Sequence, residues 1–251
     1  MGSHFGAIGL PTERDALSDG FRRMLEAATL TGTSPMGDVR VYAYQDPSGS
    51  RSSMTIVQDA LTCFTPSFRP GTSMAIRAGA LGKSDCDFER PLLGELLQDD
   101  HDVYPLAVAI EDLAVTEREI ELGARLTLEV AALAEELHVY ADEAAYRAGG
   151  TPMAVKSLIP SGLFAIGQDP DSITPTPRIL MSGEVTEARM LRHTLFDIPF
   201  CHMVVASHGA DYHAVVDAGD LERLGIADGP PVGSIVSGTF WLSGRIAREL
   251  S

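Results

Sequence analysis

The chain has 251 residues, 45% apolar and 22% charged, the range of an ordinary globular protein, which excludes a disordered or fibrous chain. Asp and Glu outnumber Lys and Arg by 35 to 19, a net charge of -16, so nucleic acid and anionic membrane are excluded as expected partners unless basic residues gather on one face, and in sequence they do not. Apolar runs break within about ten residues, too short for a spanning helix, and no secretory leader is read at the start; a cytoplasmic location is expected.

His4 to Leu10 (HFGAIGL) reads as a strand ended by Pro11. Thr12, with Asp15 three residues on, reads as a helix cap, and Leu17, Phe21, Met24, Leu25 and Ala28 recur at helical spacing until Gly32. Val39, Val41 and Ala43 then alternate with Arg40, Tyr42 and Tyr44. The turn Asp46-Pro47-Ser48-Gly49 leads into Met54 to Val57 and Leu61 to Phe64, a meander of three strands. A cupped sheet with Arg40, Tyr42 and Tyr44 inside would bind an anionic or aromatic small molecule, which makes these three the candidate substrate-binding residues. A solvated sheet face carries the same alternation.

Phe68 to Asp102 is rich in Pro, Gly and acidic residues and reads as a surface connection or lid. Residues 104–115 read as a strand. Leu126 to Tyr140 fits both periods and is taken as a strand, followed by a short helix from Asp142 to Arg147. Gly149-Gly150-Thr151-Pro152 is the strongest linker signal, dividing the chain into a mixed α+β domain over 1–148 and a small β-barrel-like domain over 153–251. The second holds strands at Lys156–Phe164, Arg178–Glu187, Pro199–Ser207 and Tyr212–Asp217, and a closing strand pair at Val232–Ile246 with Trp241 in the core. Gly233 and Gly238 in that pair suggest tight bends or close backbone approach. The fold class is α+β, predominantly β: a curled N-terminal sheet with one main helix, and a C-terminal antiparallel barrel of about OB size.

The order strand, helix, three strands in the first seventy residues resembles one module of the vicinal oxygen chelate (glyoxalase-like) superfamily, which implies a cupped sheet and a metal ligand at His4; no matching second module follows. Separately, MGSHFGAIGLP, KSLIPSGLF, MSGEV at Met181–Val185 and VGSIVSGTFWLSGRI together resemble a family of bacterial proteins of similar length with no assigned activity. That resemblance implies a shared architecture and no chemistry.

Cys63, Cys86 and Cys201 are too dispersed for a disulfide framework or a Cys-x-x-Cys metal motif, and each reads as a small buried apolar residue. No metal or other cofactor is expected. No nucleophile elbow, phosphate loop or dinucleotide fingerprint occurs, and Lys156 and Ser157 would point to opposite strand faces. His202, His208 and His213 cluster with Asp211 and Asp217. A hairpin around residues 208–211 would set His202 opposite Asp217, with His213 on the same face. An imidazole beside a carboxylate suits general-base work, so His202, Asp217 and His213 are the candidate catalytic residues. Val204, Ala206 and Val215 share that face, and the same histidines also fit a hydrogen-bonded sheet rim. The expected function is small-molecule binding, in its sharper form an enzyme without a nucleotide cofactor doing isomerase, cyclase or lyase proton transfer. The alternative is a non-catalytic module, accessory or immunity-type, that binds a protein partner; a homo-oligomer is compatible with either.

Overall fold

Ser3 accepts a hydrogen bond from the Phe5 amide at 3.2 Å and caps a single helical turn, α1 (His4–Ala7). In this computed structural model, which describes residues 3–98, 101–150, 153–164 and 174–247, the strand expected over His4–Leu10 is therefore absent. Four residues are too few for a period to register. The amphipathic helix α2 (Arg14–Ala27) follows as expected, with Met24 fully buried, although its N-cap is Glu13 rather than Thr12. It stops short of Gly32 because Thr29, Thr31 and Thr33, β-branched at alternate positions, pair as β1 (Thr29–Thr33) with β2 (Val39–Gln45).

β3 (Ser50–Val57) and β4 (Ala60–Phe68) complete a four-stranded antiparallel sheet in the order β1-β2-β3-β4. Gly49 (φ 96°) closes one turn, and Gln58 and Asp59 (φ 48° and 66°) make a tight two-residue hairpin. The first module thus reads helix, helix, four strands, and His4 lies on a helical turn rather than on a strand.

The rest is a larger sheet. Its strands are β5 (Met74–Leu81), β6 (Leu92–Gln98), β7 (His101–Ile110), β8 (Arg125–Tyr140), β9 (Ser157–Ile159), β10 (Arg178–His193), β11 (Ile198–Ala206), β12 (Asp211–Asp217) and β13 (Ile235–Ile246), with short helices α3 (Leu113–Thr116), α4 (Glu143–Ala148) and α5 (Ala218–Arg223). The segment expected as a lid holds β5 and β6. The strand-then-helix reading of 126–147 is the observed one, with Asp142 capping α4 through the Ala145 amide at 2.8 Å.

Strands β8 and β13 run antiparallel along their length, from Leu128 opposite Ile246 to Tyr140 opposite Ile235. Each also pairs outward on its other edge, so β8-β5-β6-β7-β13 closes one ring and β8-β12-β11-β10-β13 closes a second on the same two strands. Closure leaves few free edges. Because β8 precedes Gly149 and serves both rings, the boundary expected between 148 and 153 separates no two sheets, and residues 153–251 do not make a barrel by themselves.

Leu128, Val130, Ala132 and Ala134 of β8 face the ring interiors, which share one apolar core with Leu96, Leu106, Met203, Val236 and Phe240. The alternate residues Ala131 and Leu133 face the four-stranded sheet and pack with Ile8, Met24, Met54, Phe68 and Phe200. Two polar links fasten the layers. Arg51 Nε donates to Glu111 Oε2 at 2.7 Å, and buried Asp46 accepts from the Thr194 amide at 3.0 Å and from Tyr44 Oη at 3.2 Å.

The terminal segment is one strand, with no turn at Gly238. That glycine answers to close approach: a Cβ there would lie 2.0 Å from the Glu136 carbonyl oxygen. Gly238→Ala is expected to displace β13 from β8 and cost about 3 kcal/mol, the upper end for overpacking, read as a lower urea midpoint. None of the described helices is long and apolar enough to cross a membrane.

Candidate functional site

A cavity of about 270 Å³ opens where α1, β4, the loop after β5 and the start of β10 meet; its wall includes His4, Phe64, Lys83, Glu89, Pro177 and Trp241. Three features of local structure place its polar groups. The Ser3 cap fixes the turn that carries His4. A β-bulge in β8 skips Glu135, since Thr239 pairs with Glu136 and Phe240 with Ala134. Glu135 keeps the outward face it shares with Ala131 and Leu133, and the bulge changes the phase of the strand beyond it, where Leu137 turns into the ring core. Third, the cross-strand pair Arg178–Trp241 sets a guanidinium beside an indole at the cavity edge.

These groups form a chain. Arg178 donates through Nε to Glu135 Oε2 at 2.6 Å and through Nη2 to Oε1 at 2.9 Å, and His4 Nε2 lies 3.0 Å from the same Oε1. Burial alone would raise the Glu135 pKa, but hydrogen bonds from His4 and Arg178 and the guanidinium charge bring it down to about 2. An ionised carboxylate only accepts, so the shared proton sits on His4 Nε2 and the lone pair on Nδ1. Among the described residues Nδ1 has no partner. The ring stacks obliquely on Trp241, centroids 5.0 Å apart. Lys83, exposed on the same wall, has no ionic partner among the described residues, whereas the chain's other lysine, Lys156, lies 3.6 Å from Glu184.

The expected catalytic cluster assembles differently. The hairpin register pairs His202 with Val215, Val204 with His213 and Phe200 with Asp217, so Asp217 is not brought opposite His202. Its carboxylate instead caps α5 through the Gly219 amide at 2.8 Å. The loop spans residues 207–210, one position earlier than expected, and the register moves by an even step that keeps both histidines on one face.

His202 and His213 do meet, Nε2 to Nδ1 at 3.0 Å, and Arg189 Nε donates to His202 Nδ1 at 3.2 Å. Arginine only donates, so the direction is fixed: His202 accepts on Nδ1 and donates from Nε2, and His213 accepts on Nδ1. His213 borders a second hollow of about 430 Å³ with Glu187 and Asp211, but its Nδ1 lone pair is engaged. It can offer a proton there and cannot take one. His202 is 2% exposed, and burial, then the charges of His213 and Arg189, push its pKa down to about 4.

Acidification should therefore destabilise the fold. The unfolded His202 pKa is near the ordinary 6.5, so the unfolded chain binds more protons as the pH falls below it, and stability is lost down through the folded value near 4. The expected loss across that window is about 3 kcal/mol. Urea melts at pH 7 and pH 4 should show it in the parent and much less of it in His202→Gln.

Arg40, Tyr42 and Tyr44 line none of the described cavities. Arg40 pairs with Asp59 on the surface. Tyr42 packs against the interlayer core, and Tyr44 is buried on Asp46 and His193. Burial, then the Asp46 charge, pushes the Tyr44 hydroxyl up to about 12.

Lys83 and Trp241 on the cavity wall, and Glu135 and Arg178 behind His4, were not expected to take part. One signal was legible: Glu135 interrupts the apolar run Val130–Ala134, where the inward and outward faces of the strand are otherwise filled with small and aliphatic side chains. Comparison with protein-family models, curated proteins and solved structures gives no match, so the reading of the site rests on its geometry.

Proposed function

We propose that the protein binds a small anionic molecule in the His4–Trp241 cavity and catalyses proton transfer on it, without a nucleotide cofactor. The observation that carries this reading is the Arg178–Glu135–His4 chain, which leaves one basic nitrogen on the wall of a cavity. Holding the tautomer and orientation of a histidine with a buried carboxylate is what general-base catalysis requires.

Roles follow from the chemistry. Trp241 and Phe64 offer flat apolar surface, and Lys83, without an ionic partner among the described residues, offers a cation for a carboxylate or phosphate group. His4 Nδ1 takes a proton from an acidic C–H, Lys83 balances the negative charge that develops, and the imidazolium is stabilised by Glu135 behind it and by the face of Trp241. Return of the proton to a different atom makes the reaction an isomerisation.

The test is a panel of small carboxylates and phosphates in D₂O, followed by NMR. The expected result is binding with loss of one C–H signal to deuterium at a rate that depends on His4. Binding with no exchange in any ligand would leave a binding protein and overturn the enzyme. Ligands that bind equally well after Trp241→Ala would remove the cavity from the account.

A further inference from the structure

Cys63 and Cys86 are 23 positions apart in the chain, yet their sulfurs lie 2.7 Å from one another. Cys63 is buried on β4. Cys86 immediately precedes a 3₁₀ turn, Asp87–Glu89, in the loop between β5 and β6. On such a turn residues three apart eclipse, so Cys86 and Glu89 project to the same side. Both sulfurs and a Glu89 carboxylate oxygen fall within 4.8 Å of one another. Glu89 also belongs to the cavity wall, as do Ser84 from the same loop and Phe64, the residue after Cys63.

We infer that Cys63, Cys86 and Glu89 bind a thiolate-preferring divalent cation, zinc, at the edge of the cavity. Two sulfurs and one carboxylate are three of the four ligands of a tetrahedral zinc site, and a set of three protein ligands leaves the fourth position for water or a ligand. The two thiolates are soft donors, which favours zinc over magnesium or calcium. Zinc holds sulfur at about 2.3 Å, which sets two tetrahedral sulfurs about 3.8 Å apart. Loading therefore separates the touching thiols by about 1 Å. Half-buried Cys86, on a loop, can supply that movement by rotation of its side chain. Binding releases the two thiol protons to solvent, with no change in oxidation state. The site joins the strand and the loop that supply Phe64, Thr65 and Pro66 and Lys83, Ser84 and Glu89 to the cavity wall, so the ion would fix their spacing.

The inference stands apart from the His4 chemistry, and the experiment keeps them separate. Full-length protein, reduced and freed of metal, is titrated with Co²⁺ and then with Zn²⁺. The expected result is one equivalent of cobalt with a sulfur-to-metal charge-transfer band and intense tetrahedral d–d bands, all displaced by zinc. Cys86→Ser, at the half-buried position that tolerates a smaller polar atom, should cut zinc content to about a tenth or less. Glu89→Gln should keep the charge-transfer band but shift the d–d bands, because the thiolates remain and the oxygen donor changes. His4→Ala should bind metal as the parent does. A cobalt spectrum without charge transfer would overturn the site. So would the finding that Cys63 and Cys86 are joined as a disulfide, two mass units lighter and without reactive thiols, in protein isolated in the presence of zinc.

Discussion

His4→Ala is expected to slow deuterium exchange into the bound ligand by about 100- to 10,000-fold, the span by which positioned general bases accelerate proton transfer. Binding should change little, because Lys83 and Trp241 remain. Glu135→Gln is the more telling variant. Arg178 donates to both carboxylate oxygens, so a glutamine sets its NH₂ group against one Arg178 donor in either orientation. With NH₂ at the Oε1 position it donates to His4 Nε2, the ring carries its proton on Nδ1 and the base is lost; in the other orientation the ring loses the carboxylate charge that favours its protonation. The same swap behind the histidine of a Ser-His-Asp triad costs about 10⁴-fold through the wrong tautomer. A glutamine variant with exchange rates near the parent's would show that Glu135 does not set the tautomer.

The largest expected effect on stability lies away from the cavity, at the ion pair between the two layers. Arg51 and Glu111 have side chains 9% and 1% exposed, 2.7 Å apart. Burial pushes the Glu111 carboxyl up to about 7, against the Arg51 charge that holds it down. The pair survives in the core because each charge answers the other. Glu111→Ala removes one and, among the described residues, leaves the buried guanidinium with Gln45 Oε1 at 3.3 Å to accept from it. The expected cost is about 3–5 kcal/mol in urea unfolding, whereas Arg51→Met with Glu111→Leu together should recover most of it. Recovery distinguishes an uncompensated charge from a simple loss of packing.

Strand β8 and helix α4 were legible because Leu126, Leu128 and Val130 alternate and Asp142 supplies a cap that a strand does not need. The paired strands β5 and β6 were not. Gly79, Gly82 and Pro91 sit in and beside them, and these residues weaken the strand signal while the ladder itself is secured by neighbours far along the chain. Predominant β was therefore readable in composition and alternation, and the ring closure was not, since it depends on β8 and β13 each pairing on both edges.

The site divides the same way. His4 stood out in the sequence as a candidate ligand, but its partner Glu135 is 131 positions away, and only the fold of two distant segments brings the pair together. His202 and His213 were rightly expected on one face. Their chemistry turned on Arg189, whose donor-only guanidinium orients both rings and removes the free lone pair that a base would need. Cys63 and Cys86 appeared isolated for the same reason: a hairpin and a loop bring them together, not their spacing.

The direction of the hydrogen bonds at His4 is the point on which the account turns, and it can be read without knowing the substrate. A long-range ¹H–¹⁵N spectrum of the His4 ring, assigned by its disappearance in His4→Ala, reports which nitrogen carries the proton in the neutral form. A single tautomer with the proton on Nε2, shifted downfield by the Glu135 carboxylate, is expected, with a Nδ1 resonance that moves when an anionic ligand enters the cavity. A neutral ring protonated on Nδ1, or one exchanging freely between tautomers, would contradict it.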